Sequence, residues 1–215
     1  LSVIASHKVN GVSKLHSELI VQTLFADFAS LWPDRFCNKT NGITPRRWLA
    51  YANRELSELI RERGGIDTRT ELDRLHEIAA LADDPGFRQV FGDIKRRNKE
   101  KLADYLAATT GVRVDPGSMF DVQIKRMHEY KRQLLNVLHV VWRYQRIIAE
   151  PNANWAPRTV IFAGKAASAY RMAKLIIKLI NDVAARINHD PRVAGLLKVV
   201  FVPNYGVSAA EILIP

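Results

Sequence analysis

Apolar positions along this chain follow two different rhythms. In the first half they recur every three or four residues: Val12, Leu15, Leu19, Ile20 and Phe25 predict an amphipathic helix over residues 12–30. A loop follows, from Trp32-Pro33 to Thr44. Thr44 then stands as an N-cap before Pro45 at the first helical position, and Trp48, Ala52, Leu56, Leu59 and Ile60 hold one helix face until Gly64-Gly65 stops it. A shorter helix is expected over 69–82 on Leu72, Leu75 and Ile78. A longer one runs from Pro85 toward Thr110, closed by Gly111.

After Gly111 the rhythm changes. Residues 120–124, 159–163 and 198–202 are short, apolar and rich in Val, Ile and Phe, which predicts buried parallel strands. Between them lie helical patterns over 129–149 (Leu134, Val137, Leu138, Val141, Ile148) and 167–187 (Tyr170, Ala173, Ile176, Ile177, Ile180). Strand, long helix, strand, long helix, strand is the signature of an open α/β sheet. The three units share no sequence, so this is regular topology and not an internal repeat.

Composition narrows the class. Among 215 residues, 47% are hydrophobic, with only 11 Gly and 9 Pro, so disordered and collagenous readings fail and a core can form without disulfide or metal staples. The single cysteine, Cys37, cannot close an intrachain bridge, which fits a reducing compartment. No apolar run is long enough to span a membrane, and the first residues lack a signal-peptide succession, so a cytoplasmic protein is expected. The chain starts at Leu1 rather than Met and ends just after a helix start, so it is expected to be a piece of a longer protein.

The 32 Lys and Arg outnumber the 22 Asp and Glu by ten, and two short segments hold most of the excess. Lys95, Arg96, Arg97, Lys99 and Lys101 lie over two helical turns without interleaved aromatics and read as a solvated face. Lys125, Arg126, Lys131 and Arg132 directly follow the first predicted strand. Ligands of open parallel sheets bind at the carboxyl ends of the strands. The second strand is followed by Gly164-Lys165-Ala166-Ala167 and the third by Pro203-Asn204-Tyr205-Gly206. An arginine fork with a lysine point charge beside helix N-termini suits phosphate, so an anionic ligand is expected. The alternative is that the four cations merely cover a helix N-terminal turn in solvent, although the macrodipole there repels them. Gly164 is explained equally by close strand-to-helix packing and by phosphate approach, since no second glycine completes a phosphate-loop pattern. The six histidines never reach metal-ligand spacing with a partner, so no metal is implied, and no nucleophile elbow or Cys-His pairing supports hydrolysis.

Three runs carry a family resemblance: Ser6-His7-Lys8-Val9-Asn10-Gly11-Val12, Asn38-Lys39-Thr40-Asn41-Gly42-Ile43-Thr44-Pro45-Arg46-Arg47-Trp48, and Phe120-Asp121-Val122-Gln123-Ile124-Lys125-Arg126-Met127-His128-Glu129-Tyr130-Lys131-Arg132-Gln133. Together with Gly164-Lys165-Ala166-Ala167 and Asn204-Tyr205 they resemble the glycogen/maltodextrin (α-1,4-glucan) phosphorylases over essentially the whole chain. The resemblance implies a GT-B glycosyltransferase fold with a Rossmann-like parallel sheet. Residues 1–40 would end the N-terminal catalytic domain, and 41–215 would begin the C-terminal cofactor- and phosphate-binding domain.

The resemblance also implies transfer of a terminal glucosyl unit from an α-1,4-glucan to inorganic phosphate, with retention, giving glucose 1-phosphate. Pyridoxal phosphate would be the cofactor, acting through its phosphate group. Lys125 would lie near the cofactor phosphate, Arg126 and Lys131 would hold the substrate phosphate, and Tyr130 and Asn41 would hydrogen-bond the glucose. Trp48 would pack near the pyridoxal ring or serve as plain core, and Tyr205 would be a further cofactor-pocket contact. Many members carry an arginine after that tyrosine, where this chain has Gly206. Tyr170 would match an aromatic at the cleft mouth, and His7 and Asn10 would serve local hydrogen bonding. The family's cofactor lysine sits in a Gly-Thr-Gly-Asn-Met-Lys setting that does not occur here, and Lys165 does not replace it. The piece alone is therefore expected to be inactive, and the full-length protein is expected to be a homodimer.

Two other readings compete. A GT-B glucan synthase using a sugar nucleotide would share the topology and a basic phosphate site. A basic nucleic-acid-binding module is disfavoured, because no recognition fold or aromatic-studded basic surface is evident.

Overall fold

The structure is a computed structural model that describes all 215 residues. The chain divides into two compact units, Leu1–Thr44 and Pro45–Pro215.

In the first unit a short helix α1 (Ser2–Ala5) precedes strand β1 (Val9–Gly11), helices α2 (Lys14–Gln22) and α3 (Ala26–Leu31), and strand β2 (Phe36–Asn38). β1 and β2 pair in parallel, with Asn10 opposite Cys37. The single helix expected over 12–30 is two helices. The chain breaks at Thr23, whose backbone leaves helical geometry while its hydroxyl donates to the Leu19 carbonyl, a local bond that competes with helix continuation. The apolar stripe is also shallower than its spacing suggests, since Ile20 is the one buried residue of α2 while Leu15 and Leu19 are exposed.

The second unit opens with a π-helical turn (Arg46–Tyr51), followed by α4 (Arg54–Gly64) and α5 (Pro85–Thr110). The helix expected from Thr44 to Gly64 is thus interrupted. Buried Asn53 leaves helical geometry, and its side-chain carbonyl accepts from Asn98 Nδ2 of α5 at 3.1 Å. Thr44 makes no capping bond; Pro45 occupies the N-cap position. Gly65 does end α4, in the left-handed conformation. Residues Leu72–Leu81 form 3₁₀ helix rather than α-helix. That pitch aligns positions three apart, and Arg74 pairs with both Glu71 and Glu77 at 2.9 Å. α5 matches its expected bounds: Asp84 caps the Gly86 and Phe87 amides, and Gly111 takes the left-handed C-cap position.

The sheet follows, as β3 (Met119–Ile124), α6 (Gln133–Ala149), β4 (Arg158–Ala163), α7 (Arg171–Asn188), β5 (Leu197–Val202) and α8 (Val207–Leu213). The three strands are parallel in the order β3-β4-β5. Strand side chains alternate between two faces. Val160 and Phe162 of β4 and Leu197 and Val199 of β5 meet α6 and α7, through Val137, Val140, Ile176 and Ile180. Ile161, Ala163, Val200 and Val202 meet α5 and α8, through Leu102, Leu106, Ala209 and Leu213. Both faces are covered, as the α/β reading predicts. β3 departs from the expectation of a buried strand: of the two edge strands it is the one left open, with Met119 and Val122 exposed. No helix is long and apolar enough to cross a membrane.

Candidate functional site

The register of the sheet aligns the ends of its strands. Ile124 is opposite Ala163, and Ala163 opposite Val202, so Lys125, Gly164 and Pro203 leave the sheet side by side at its carboxyl edge. Two further backbone bonds extend the ladder past the strands, from Lys125 N to the Ala163 carbonyl (3.0 Å) and from Met127 N to the Lys165 carbonyl (3.1 Å).

This close approach explains Gly164. A Cβ there would lie 1.9 Å from the Lys125 carbonyl oxygen and 2.9 Å from its carbon, which no side chain tolerates. The neighbour is neither the following helix nor a ligand, the two explanations left open by the sequence, but the backbone of the cation-bearing loop after the adjacent strand.

Residues 125–132 are not the first turn of a helix. They form a loop with a 3₁₀ turn over Glu129–Lys131, after which Arg132 takes a left-handed conformation (φ 63°) and α6 begins at Gln133. The expected helix over 129–149 therefore starts late. A non-glycine residue at positive φ is held there only by its surroundings, and three buried or half-buried amides supply them. Gln133, fully buried, donates from Nε2 to the Arg126 carbonyl (3.1 Å) and accepts from the His128 amide (3.4 Å). Gln123 donates to the Lys131 carbonyl (3.0 Å) and is itself held by Asn136 Nδ2 (2.9 Å). The His128 imidazole caps the 3₁₀ turn through the Tyr130 amide. Met127, 3% exposed, anchors the loop in the core.

With the backbone fixed, the side chains differ in company. Lys125, Arg126, Lys131 and Arg132 make no ion pair and no side-chain hydrogen bond; Lys125 and Arg126 are exposed and Lys131 is half-buried, with its ammonium 5.6 Å from the Tyr130 ring centre. The loop's one carboxylate, Glu129, is engaged elsewhere: the Tyr170 hydroxyl donates to its Oε2 at 2.5 Å, a bond that raises the tyrosine pKa. The His128 ring lies between Tyr130 and Tyr170, at centroid distances of 4.4 and 4.9 Å. Four cations free of carboxylates on a rigid loop, ahead of a helix whose N-terminus no side chain caps, form an arrangement suited to a phosphate dianion.

Other expected site residues are distributed as follows. Tyr205 is half-buried after β5, packed on the core beneath α8, and its desolvated hydroxyl has a raised pKa. Asn204 before it adopts positive φ. Gly206 is extended, and the atom nearest to a Cβ there is the Asn204 carbonyl oxygen at 3.8 Å, so its backbone admits a larger residue. Trp48 is half-buried on the π-helical turn, which Arg47 ties to α8 through Glu211 at 2.5 Å; no hydrogen bond or ring stack joins Trp48 to the 125–132 loop. Asn41 belongs to the first unit, where its amide donates to the Val12 carbonyl (2.8 Å) and its side chain is free. Asn10, in β1, accepts a weak bond from Cys37 Sγ at 3.9 Å, while His7 makes no side-chain bond.

The residues missed by sequence reasoning are the holders: Gln123, Gln133, Asn136 and the Lys165 carbonyl. The glutamine directly after the basic run was the visible signal for the second of these; its burial was not.

The sequence of the chain has counterparts among known proteins. The chain matches the phosphorylase family, described as carbohydrate phosphorylase, over residues 1–215. It is 53% identical to a glycogen phosphorylase of Haemophilus influenzae, 55% to one of Pasteurella multocida and 50% to the muscle form of human glycogen phosphorylase. Each match covers 100% of this chain and 26% of the relative, so the chain spans about a quarter of the length of the curated relatives it matches.

Proposed function

Because the chain belongs to the carbohydrate phosphorylase family, we propose that the full-length protein cleaves the terminal α-1,4 bond of a glucan with inorganic phosphate, releasing glucose 1-phosphate with retention. The observation that carries this reading is the 125–132 loop, whose unpaired cations stand at the carboxyl edge of a parallel sheet and whose backbone is held by buried amides.

Each side chain has a distinct task. Arg126 offers two parallel donors to one phosphate, and Lys131 adds a second positive charge within the same loop. Together they offset the repulsion between two phosphoryl groups brought close, which is the main electrostatic obstacle to the reaction. The rigidity imposed by Gln133 and Gln123 means that little reorganisation is needed when charge develops. Tyr130, 69% exposed, presents a hydroxyl and an apolar ring suited to a sugar. Asn41 would bind sugar hydroxyls as both donor and acceptor.

The residues present also fit pyridoxal phosphate. The donor set includes Lys125, with no partner of its own, for the cofactor phosphate, and the half-buried Tyr205 and Trp48 for an aromatic ring. When bound, the cofactor's phosphate would supply proton donation and acceptance toward the substrate phosphate. Its covalent lysine would lie outside this chain, so these 215 residues alone would be inactive. The family resemblance further supports a cytoplasmic homodimer, with residues 1–40 closing an N-terminal domain and 41–215 opening the C-terminal one, a boundary close to the division of the compact units at Thr44.

The test uses full-length protein with maltodextrin and phosphate. Glucose 1-phosphate should form, and Arg126→Ala and Lys131→Ala should each reduce kcat/KM for phosphate by about 10²-fold, the scale expected when one preorganised charge donor is removed. Glucosyl transfer only from a nucleotide sugar, or unchanged phosphate kinetics in both variants, would refute the assignment.

A further inference from the structure

A second basic site lies elsewhere in the Pro45–Pro215 unit. A cleft of about 540 Å³ opens between the π-helical turn, one face of α4 and the segment after it, and no residue of the strand-end loops lines it. Its size falls within the usual range for small-molecule sites. Arg54, Glu58 and Arg61 line it from α4 at i, i+4 and i+7, a single helical stripe. Arg46 and Tyr51 line it from the turn, and Asp67, Thr68 and Arg69 from the far side.

Charge in the cleft does not cancel. Glu58 is taken by Arg54 at 2.7 Å. Asp67 is clamped by Arg69 Nε and Nη2 at 2.9 and 2.7 Å, which holds its pKa down to about 2. Arg46 faces the cleft without an acidic partner, and Arg61 has only the long contact to Glu62, at 3.9 Å, and the field of the already paired Asp67. At the base of the cleft the Ser57 and Thr68 hydroxyls bond to each other at 2.5 Å, and Thr68 is 1% exposed.

The segment that brings Arg46 and Tyr51 here is itself unusual. Residues Arg46–Tyr51 form a π-helix, a rare geometry that frequently marks functional sites. Its two arginines part: Arg47 closes an ion pair with Glu211, and Arg46 remains on the cleft. Tyr51, 71% exposed, presents its ring beside these charges.

We propose that this cleft binds a small ring-bearing diphosphate ester, with the phosphates on Arg46 and Arg61 and the ring on Tyr51. Arginine suits this role because its planar fork matches phosphate oxygens in pairs, and an exposed aromatic face beside it favours a ligand with a flat or saturated ring over a bare anion. The site does not depend on the phosphorolysis reading, since none of its residues takes part in that chemistry.

The experiment is calorimetric titration of full-length protein with ADP, inorganic pyrophosphate and adenosine as probes of charge plus ring, charge alone and ring alone. ADP should bind most tightly and adenosine not measurably, with ADP affinity falling as salt is raised. The double variant Arg46→Gln, Arg61→Gln should weaken ADP and pyrophosphate at least tenfold. Tyr51→Ala should weaken ADP severalfold and leave pyrophosphate unchanged. All three side chains are exposed, so folding should survive; if the double variant fails to fold, Arg61→Gln alone should give a severalfold loss. Glucose 1-phosphate formation without ADP should match the unsubstituted protein. ADP binding equal in the unsubstituted and substituted proteins, or no ADP binding at millimolar concentration, would overturn the proposal while leaving the phosphorolysis reading untouched.

Discussion

Replacing Gly164 with alanine should damage both stability and the phosphate loop. Its Cβ would stand 1.9 Å from the Lys125 carbonyl oxygen, where ordinary contact begins near 3.4 Å, so a gap of about 1.5 Å must open. The obstacle is backbone, which no rotamer change can move. Separating the strand ends that far removes the bond from Lys125 N to the Ala163 carbonyl and strains that from Met127 N to the Lys165 carbonyl. Overpacking costs about 1–3 kcal/mol and each lost backbone bond about 1 kcal/mol net, so a loss of about 3 kcal/mol is expected. For a unit of this size that is a fall of roughly 6–12 °C in Tm. Scanning calorimetry of the full-length protein measures it, and phosphate kinetics should worsen because Lys125 and Arg126 ride on the displaced backbone. Gly206→Ala is the control: with the nearest atom at 3.8 Å and an extended backbone, it should change Tm by less than about 2 °C, in the range of substitutions away from special features. A Gly164→Ala protein that melted with the control and kept its KM for phosphate would refute the reasoning.

Gln133→Ala leaves the Arg126 carbonyl without its buried donor and opens a small cavity, at about 1–3 kcal/mol. Its expected signature is a KM for phosphate raised about tenfold with the KM for glucan little changed, measured by steady-state kinetics. Glu55 of α4 accepts from Lys101 and Arg97 of α5, and these bonds hold its pKa below the ordinary 4.5. A depressed carboxylate stabilises the fold above its unfolded pKa, and that contribution is lost as pH falls through the lowered folded value. Glu55→Gln should therefore flatten the dependence of Tm on pH below 4.5, with little difference between the two proteins in slope above it; identical slopes below that pH would contradict the pairing.

How much was legible beforehand follows from the range of the forces involved. The three strands, α5 from Pro85 to its stop at Gly111, and the stop at Gly65 were readable because apolar runs, proline starts and left-handed glycines act over a few neighbouring residues. So was the cation cluster after the first strand, since topology alone assigns ligands to that edge. The breaks at Thr23 and Asn53 were not. Thr23 chooses between two local bonding patterns of similar strength, and Asn53 answers to Asn98, a partner forty-five positions away. The exposure of β3 and the 3₁₀ pitch of Leu72–Leu81 likewise depend on what lies alongside.

The amino-acid order by itself determined the parallel α/β topology and the kind of ligand it invites, because periodicity and charge are properties of short stretches. Only the tertiary structure decided which carboxylates neutralise which cations, which amides hold the 125–132 loop, and why Gly164 admits no side chain. Those outcomes turn on distances between residues far apart in the chain, which spacing along it does not encode.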